Sequence, residues 1–298
     1  MKNGLGTQPA VLSIPVLMIL LIVMFALISG HTARAEGNQN KSTRFSTTEV
    51  LVERDGMTIY GELLLPEKEE PLPLVILCHG FGGNHGHMKA YAQAFARKGV
   101  AAYSFDFIGG GLGIKSDGTM KEMSVLTEAA DLNAVLDQMM ALPAIDADRI
   151  FLLGASQGGF VSSYVAGTRP DDVAGLIALY PAYVLQDNAW KQTPDPNNIP
   201  ETITLMGVTL GRIYNADAMS FDIYDIIPNY SGKVLIIHGT ADAVAPISYS
   251  ERAVKVFPDA KLIRYKGANH GFWGQDEINS ENQAVSFVLE ILDSLDNQ

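Results

Sequence analysis

Six short, uninterrupted apolar runs, most of them followed by a helical pattern, constrain this chain more than any other feature. They read LVILC at 74–78, VAAYSF at 100–105, RIFLLG at 149–154, VAGLIAL at 173–179, KVLIIHG at 233–239 and KLIRY at 261–265. A strand with one wet face alternates apolar and polar residues, so a continuous run belongs to a strand buried on both faces. Helical patterns fall at about 86–98, 121–141, 157–168, 247–257 and 277–296. Ahead of them, TTEVLVER and MTIYGELLL flank Asp55-Gly56, the signature of an antiparallel hairpin. The predicted fold class is α/β: a mostly parallel twisted sheet with an N-terminal antiparallel hairpin and helices on both faces. Ligands of such sheets bind beyond the carboxyl ends of the strands. Residues 182–232 break the rhythm with Pro194, Pro196, Pro200 and Pro228, and read as an insertion covering that end.

The residues before the first strand are of another kind. An uncharged apolar run at 11–29 follows Lys2 and precedes Ala33 and Ala35, a signal-peptide pattern with cleavage expected before Glu36. A retained membrane anchor is the rival reading, because the run approaches the length that spans a bilayer. Ser13 and Pro15 shorten its strongly apolar part, which favours the signal. The chain thus divides into a signal peptide or anchor at 1–35, a polar tether at 36–46 and one domain at 47–298, placed outside the cytoplasm. Acids outnumber bases 33 to 21, which makes nucleic acid an unfavourable partner. A lone Cys78 excludes an intrachain disulfide and any Cys-rich zinc site.

The sharpest chemical signal is GASQGG at 154–159, directly after RIFLL and directly before a helical pattern. A serine with glycines two residues either side, at a strand-to-helix turn, is a nucleophile elbow. Serine needs a base, and the base needs an orienting carboxylate. Asp242 follows KVLIIHGTA and His270 lies in KGANHGF, so both follow strand ends in the order Ser, Asp, His. Ser156 is therefore the candidate nucleophile, His270 the base and Asp242 the group that fixes the imidazole tautomer. CHGFGG at 78–83 supplies a glycine-rich loop after a strand. With it, the backbone N–H groups of Phe81 and Gln157 are the candidate oxyanion donors.

Together HGFGGNH, GASQGG, HGTAD and GANHGF resemble the α/β-hydrolase superfamily over residues 47–298. Within it the chain is similar to bacterial serine esterases of the feruloyl/cinnamoyl type, a likeness that extends to DFIGGG at 106–111 and TLGRIY at 209–214. The resemblance implies an α/β-hydrolase fold with a small cap at about 182–232, and Tyr214 as a cap residue touching substrate. GGGLG at 109–113 departs from the Gly-His-Gly common in those relatives. Between 180 and 230, in and just before the insertion, lie seven aromatics: Tyr180, Tyr183, Trp190, Tyr214, Phe221, Tyr224 and Tyr230. They suit walls for an apolar acyl group or a core for the cap itself.

Other signals carry less. GGGLG lacks the spacing of a dinucleotide loop and reads as a flexible loop. His79, His85 and His87 lack an acidic or cysteine partner in the sequence, so no metal is expected. Cys78 reads as a packed thiol. The expectation is an exported serine hydrolase that cleaves small-molecule carboxylic esters through an acyl-enzyme, without cofactor. Amide or thioester cleavage on the same triad is the alternative, and a non-catalytic binding module the other class. A membrane tether through 11–29 goes with the uncleaved form.

Overall fold

The computed structural model describes residues 42–68 and 71–297. The segment read as signal peptide or anchor, and the tether as far as Lys41, lie outside the described residues. Strand β1 starts at Phe45, two residues inside the stretch read as tether. Among the described residues, no helix is long and apolar enough to cross a membrane.

Strands β1 (Phe45–Arg54) and β2 (Met57–Pro66) pair antiparallel, with Arg54 opposite Met57. That register leaves only Asp55 and Gly56 for the turn, and both take positive φ (53° and 78°). A two-residue turn that follows the twist of its strands requires this conformation. Next come β3 (Leu72–Cys78), β4 (Ala101–Phe105), β5 (Ile145–Ala155), β6 (Gly175–Leu179), β9 (Lys233–Gly239) and β10 (Ala260–Tyr265). The eight strands form one sheet in the order β1-β2-β4-β3-β5-β6-β9-β10. β2 runs antiparallel to β4, and every later pairing is parallel.

Both faces are covered, which is why the strands need no polar side. On one face Leu74, Ile76 and Cys78 join Leu132 and Leu136 of α2 (Val125–Met140) and Val161 and Val165 of α3 (Gln157–Thr168). On the other, Val75 and Leu77 join Tyr91 and Phe95 of α1 (Lys89–Ala96) and Val288 and Ile291 of the C-terminal helix (Gln275–Asp296). Each such Leu, Ile or Val buried in full stabilises the fold by roughly 1.5–3 kcal/mol. Helix α2 starts where Ser124 and Thr127 cap each other reciprocally.

The insertion between β6 and β9 contains α4 (Leu185–Gln192), a hairpin of β7 (Thr202–Leu205) and β8 (Val208–Gly211), α5 (Ile213–Ala218) and the short α6 (Ile223–Ile226). Ala189, Ile199, Ala218 and Met219 form a small core of its own. Tyr183, Leu210, Tyr214, Tyr224 and Tyr230 instead join the main core, so the insertion is packed down onto the sheet domain. Helices α7 (Ile247–Val256) and α8 (Gln275–Asp296) complete the chain.

Candidate active site

Ser156 stands between the end of β5 and the first residue of α3, with φ 53° and ψ −118°. That left-handed backbone costs on the order of 1–3 kcal/mol for a residue with a side chain. Its neighbours explain why glycine flanks it. A Cβ at Gly154 would stand 2.1 Å from Gly158 O, and one at Gly158 would stand 2.4 Å from the carbonyls of both Cys78 and His79. Only bare backbone lets the turn close that tightly. The elbow is tied to β6 by Ser156 N–H, which donates to Leu179 O at 2.9 Å.

The structure brings Ser156, His270 and Asp242 together. His270 Nε2 is 2.9 Å from Ser156 Oγ, and His270 Nδ1 is 2.7 Å from Asp242 Oδ2. A carboxylate only accepts, so Nδ1 carries the proton and Nε2 is left to accept from the serine hydroxyl. Asp242 Oδ1 accepts from Val244 N–H at 2.9 Å and Ala245 N–H at 2.8 Å. Burial works against its charge, but the bonds from His238, His270 and Ala245 outweigh burial and hold its carboxyl below the usual carboxylate range. It is the ionised member of the row.

Two further residues stand near this row: His238, which sequence reasoning missed, and Tyr180, which it took only as one of the aromatics around the insertion. His238, at the end of β9 and fully buried, places Nε2 3.1 Å from Asp242 Oδ2 and 2.7 Å from Ala245 O. Both partners only accept there, so Nε2 carries a proton, and Nδ1 takes the Ser250 hydroxyl at 2.8 Å. Tyr180, also at positive φ (37°), sets its ring edge-on to the His270 imidazole at 5.0 Å between centroids.

The loop after β3 lies against the nucleophile: a Cβ at Gly80 would be 3.0 Å from Ser156 Cβ. Phe81 follows Gly80 in that loop, and Gln157 opens α3, where the first N–H groups of a helix lack intrahelical acceptors. Neither the Phe81 nor the Gln157 backbone N–H donates to another group among the described residues. His79 braces the loop from behind. Its Nδ1 donates to Gly80 O at 2.8 Å and its Nε2 accepts from Phe107 N–H at 3.2 Å. Burial pushes its pKa down to about 4, so the ring is neutral at pH 7.

GGGLG is not the free loop read from its glycines. Gly82 N–H donates to Gly110 O at 3.3 Å, Leu112 N–H donates to Gly82 O at 3.2 Å, and Gly82 and Gly111 form a parallel bridge. Close backbone pairing, rather than flexibility, is what the small residues allow. The sequence also showed no acidic partner for His85, but folding supplies one, since Asp106 Oδ1 lies 2.7 Å from His85 Nδ1. Among the described residues no three His, Cys, Asp or Glu gather as a metal set. Cys78 is fully buried, and burial pushes its thiol up to about 12, which keeps it un-ionised.

Tyr214 packs edge-on to Phe81, 5.9 Å between ring centroids, and donates its hydroxyl to Gln157 Oε1 at 2.7 Å. The other end of that carboxamide donates from Nε2 to Glu128 Oε2 at 2.9 Å. Of the insertion's aromatics, Tyr183, Tyr224 and Tyr230 are buried with their hydroxyls bonded to Ser163, Tyr249 O and Val173 O. These three build structure; they are not an open wall.

Residues 69–216 match the family model described as serine aminopeptidase, S33. Est1E from Butyrivibrio proteoclasticus, solved with ferulic acid bound, superposes with a TM-score of 0.76 and 28% identity over 82% of this chain and 99% of that one. The mitochondrial palmitoyl-protein thioesterase ABHD10 of Rattus norvegicus is 27% identical over 66% of this chain and 69% of its own length. YuxL of Bacillus subtilis (strain 168), described as an uncharacterized peptidase, is 23% identical over 72% of this chain, which spans about a third (34%) of its length.

Proposed function

From the premise that this chain is an α/β hydrolase related to esterases, we propose that it is a serine carboxylesterase working through Ser156, His270 and Asp242. The observation that carries the reading is the unbroken row of hydrogen bonds from Asp242 through His270 to Ser156. In it His270 Nε2 takes the proton of Ser156 as Oγ attacks the ester carbonyl. The Phe81 and Gln157 N–H groups hold the oxyanion, each contributing on the order of 3 kcal/mol to the transition state. His270 then protonates the leaving alcohol, and water repeats the cycle on the acyl-enzyme. Asp242 keeps the imidazole in its productive tautomer and stabilises the imidazolium.

The likeness to Est1E supports an aromatic acyl group as substrate. A thioester is the second reading, supported by the likeness to a palmitoyl-protein thioesterase. Export belongs to the same proposal and rests on the apolar run at 11–29.

Hydrolysis of p-nitrophenyl butyrate by the wild-type protein and by Ser156→Ala tests the chemistry. Loss of turnover in a folded variant is expected, and comparable turnover would remove Ser156 from the mechanism. Methyl ferulate, aliphatic esters of rising length and matching thioesters rank the acyl preference. Cell fractionation tests export, which a wholly cytoplasmic protein would exclude.

A further inference from the structure

Glu128 is an ionisable group that the hydrolytic steps leave without a task. It sits in the first turn of α2, 1% exposed. Among the described residues no cation pairs with it. Burial holds its carboxyl well above the usual range, against the pull of the Gln157 hydrogen bond. A polar group in such a place weakens a core that an apolar side chain of the same volume would fill without cost. Local conflicts of this kind gather where a fold serves something besides its own stability.

What Glu128 touches is the side chain of Gln157. The two ends of that carboxamide are chemically distinct, one accepting and one donating. The accepting end, Oε1, takes the hydroxyl of Tyr214 from α5 of the insertion at 2.7 Å. The donating end, Nε2, gives to Glu128 Oε2 at 2.9 Å and faces Met123 Sδ at 3.4 Å. Elements from both sides of the site thus grip one side chain in one orientation. Its own backbone is the N–H next to the strained Ser156.

We infer that Glu128 is a positioning residue: with Tyr214 it clamps the Gln157 carboxamide and so holds the Gln157 N–H in line with the oxyanion. This rests on the serine-hydrolase reading above. A donor that matters only when charge develops on the carbonyl oxygen affects turnover and leaves ground-state binding alone. The insertion is by the same token a working part of the oxyanion site, since Tyr214 supplies half of the clamp.

The test uses the full chain with p-nitrophenyl butyrate, measuring kcat, KM and thermal midpoint for Glu128→Met, Glu128→Gln, Tyr214→Phe and the Glu128→Met/Tyr214→Phe double variant. Glu128→Met is expected to lower kcat about tenfold, with KM within about twofold and a thermal midpoint near wild type, the apolar gain in the core offsetting the stranded Gln157 Nε2 donor. Glu128→Gln keeps a carbonyl acceptor for Nε2 and should stay within about threefold of wild type. Tyr214→Phe should also lower kcat, and the double variant should fall by less than the product of the two losses. Wild-type kcat in Glu128→Met, or a Glu128→Gln as slow as Glu128→Met, overturns the clamp. If Glu128→Met does not fold, an unchanged kcat in Tyr214→Phe overturns it equally. Labelling by a fluorophosphonate separates the two levels. A folded wild-type protein that neither labels nor turns over ends the serine-hydrolase reading and the clamp with it, whereas a labelled, active wild type with a normal Glu128→Met ends the clamp alone.

Discussion

His238 and His270 converge on a single carboxylate oxygen: Asp242 Oδ2 lies 3.1 Å from Nε2 of the first and 2.7 Å from Nδ1 of the second. One imidazole is fully buried and held by Ser250 and Ala245, while the other keeps a fifth of its side chain open to solvent. The buried ring holds from one side the carboxylate oxygen to which the His270 ring is bonded from the other.

His238→Ala should therefore lower kcat about tenfold with little change in KM, because the hold on that oxygen loosens while the substrate pocket does not. Removing the ring also opens a cavity and strands the Ser250 hydroxyl, for a cost of roughly 2–4 kcal/mol. The thermal midpoint should drop with it. Steady-state kinetics normalised to titrated active sites checks this, and a wild-type kcat per active site would reduce His238 to a packing residue.

Asp242→Asn replaces the acceptor at Oδ2 with a group that can turn a donor toward His270. The imidazole then settles in the wrong tautomer, and kcat should fall about 10³–10⁴-fold with the fold intact. Circular dichroism and ester turnover on the same sample decide it; a loss below tenfold would mean that the carboxylate is dispensable.

Gly158→Ala puts a methyl carbon 2.4 Å from two main-chain carbonyls, those of Cys78 and His79. Neither belongs to a flexible side chain, so β3 and α3 must part. A cost of roughly 3 kcal/mol follows, or about 6–12 °C in thermal midpoint for a domain of this size. Activity should suffer more than stability, because the same shift displaces the loop beside Ser156. An unchanged midpoint would show that the elbow relaxes cheaply.

Asp131, buried on α2, accepts from Arg54 Nε at 2.5 Å and from Ile108 N–H at 2.8 Å. Burial pushes its carboxyl up to about 7, with Arg54 opposing. An acid whose folded pKa is raised keeps its proton longer in the folded state than in the unfolded one. Stability therefore falls as pH rises from about 4, the unfolded value, towards 7. Asp131→Asn lacks this slope. Urea midpoints across pH 4 to 8 should show the wild type losing ground to the variant as pH rises. His79, whose pKa is lowered, contributes the opposite slope in both proteins and cancels from the comparison. Parallel profiles for the two proteins would mean that Asp131 titrates as in the unfolded chain.

The sheet was legible because its strands are written as runs with no polar side, and such runs have few places to go. Ser156 was legible because two flanking glycines after a strand mark a turn that few other sequences need. His238 was not, since a histidine at the end of an apolar run looks the same whether it packs or works. Glu128 was hidden for another reason: its partner Gln157 lies 29 residues away, and no local pattern announces an acid buried without a cation. GGGLG misled because glycine permits both freedom and close backbone pairing, and only the neighbouring loop decides between them.

The row from Asp242 to Ser156 is assembled out of sequence order, with its acid and base supplied by the segments after β9 and β10. During synthesis the serine emerges more than eighty residues ahead of its acid, and the base later still. A nascent chain halted before residue 242 carries an elbow with no proton acceptor behind it. On the proposed mechanism hydrolysis begins only when the far edge of the sheet, β9 and β10, has docked, and ester turnover then reports whether the chain from β9 onward has folded.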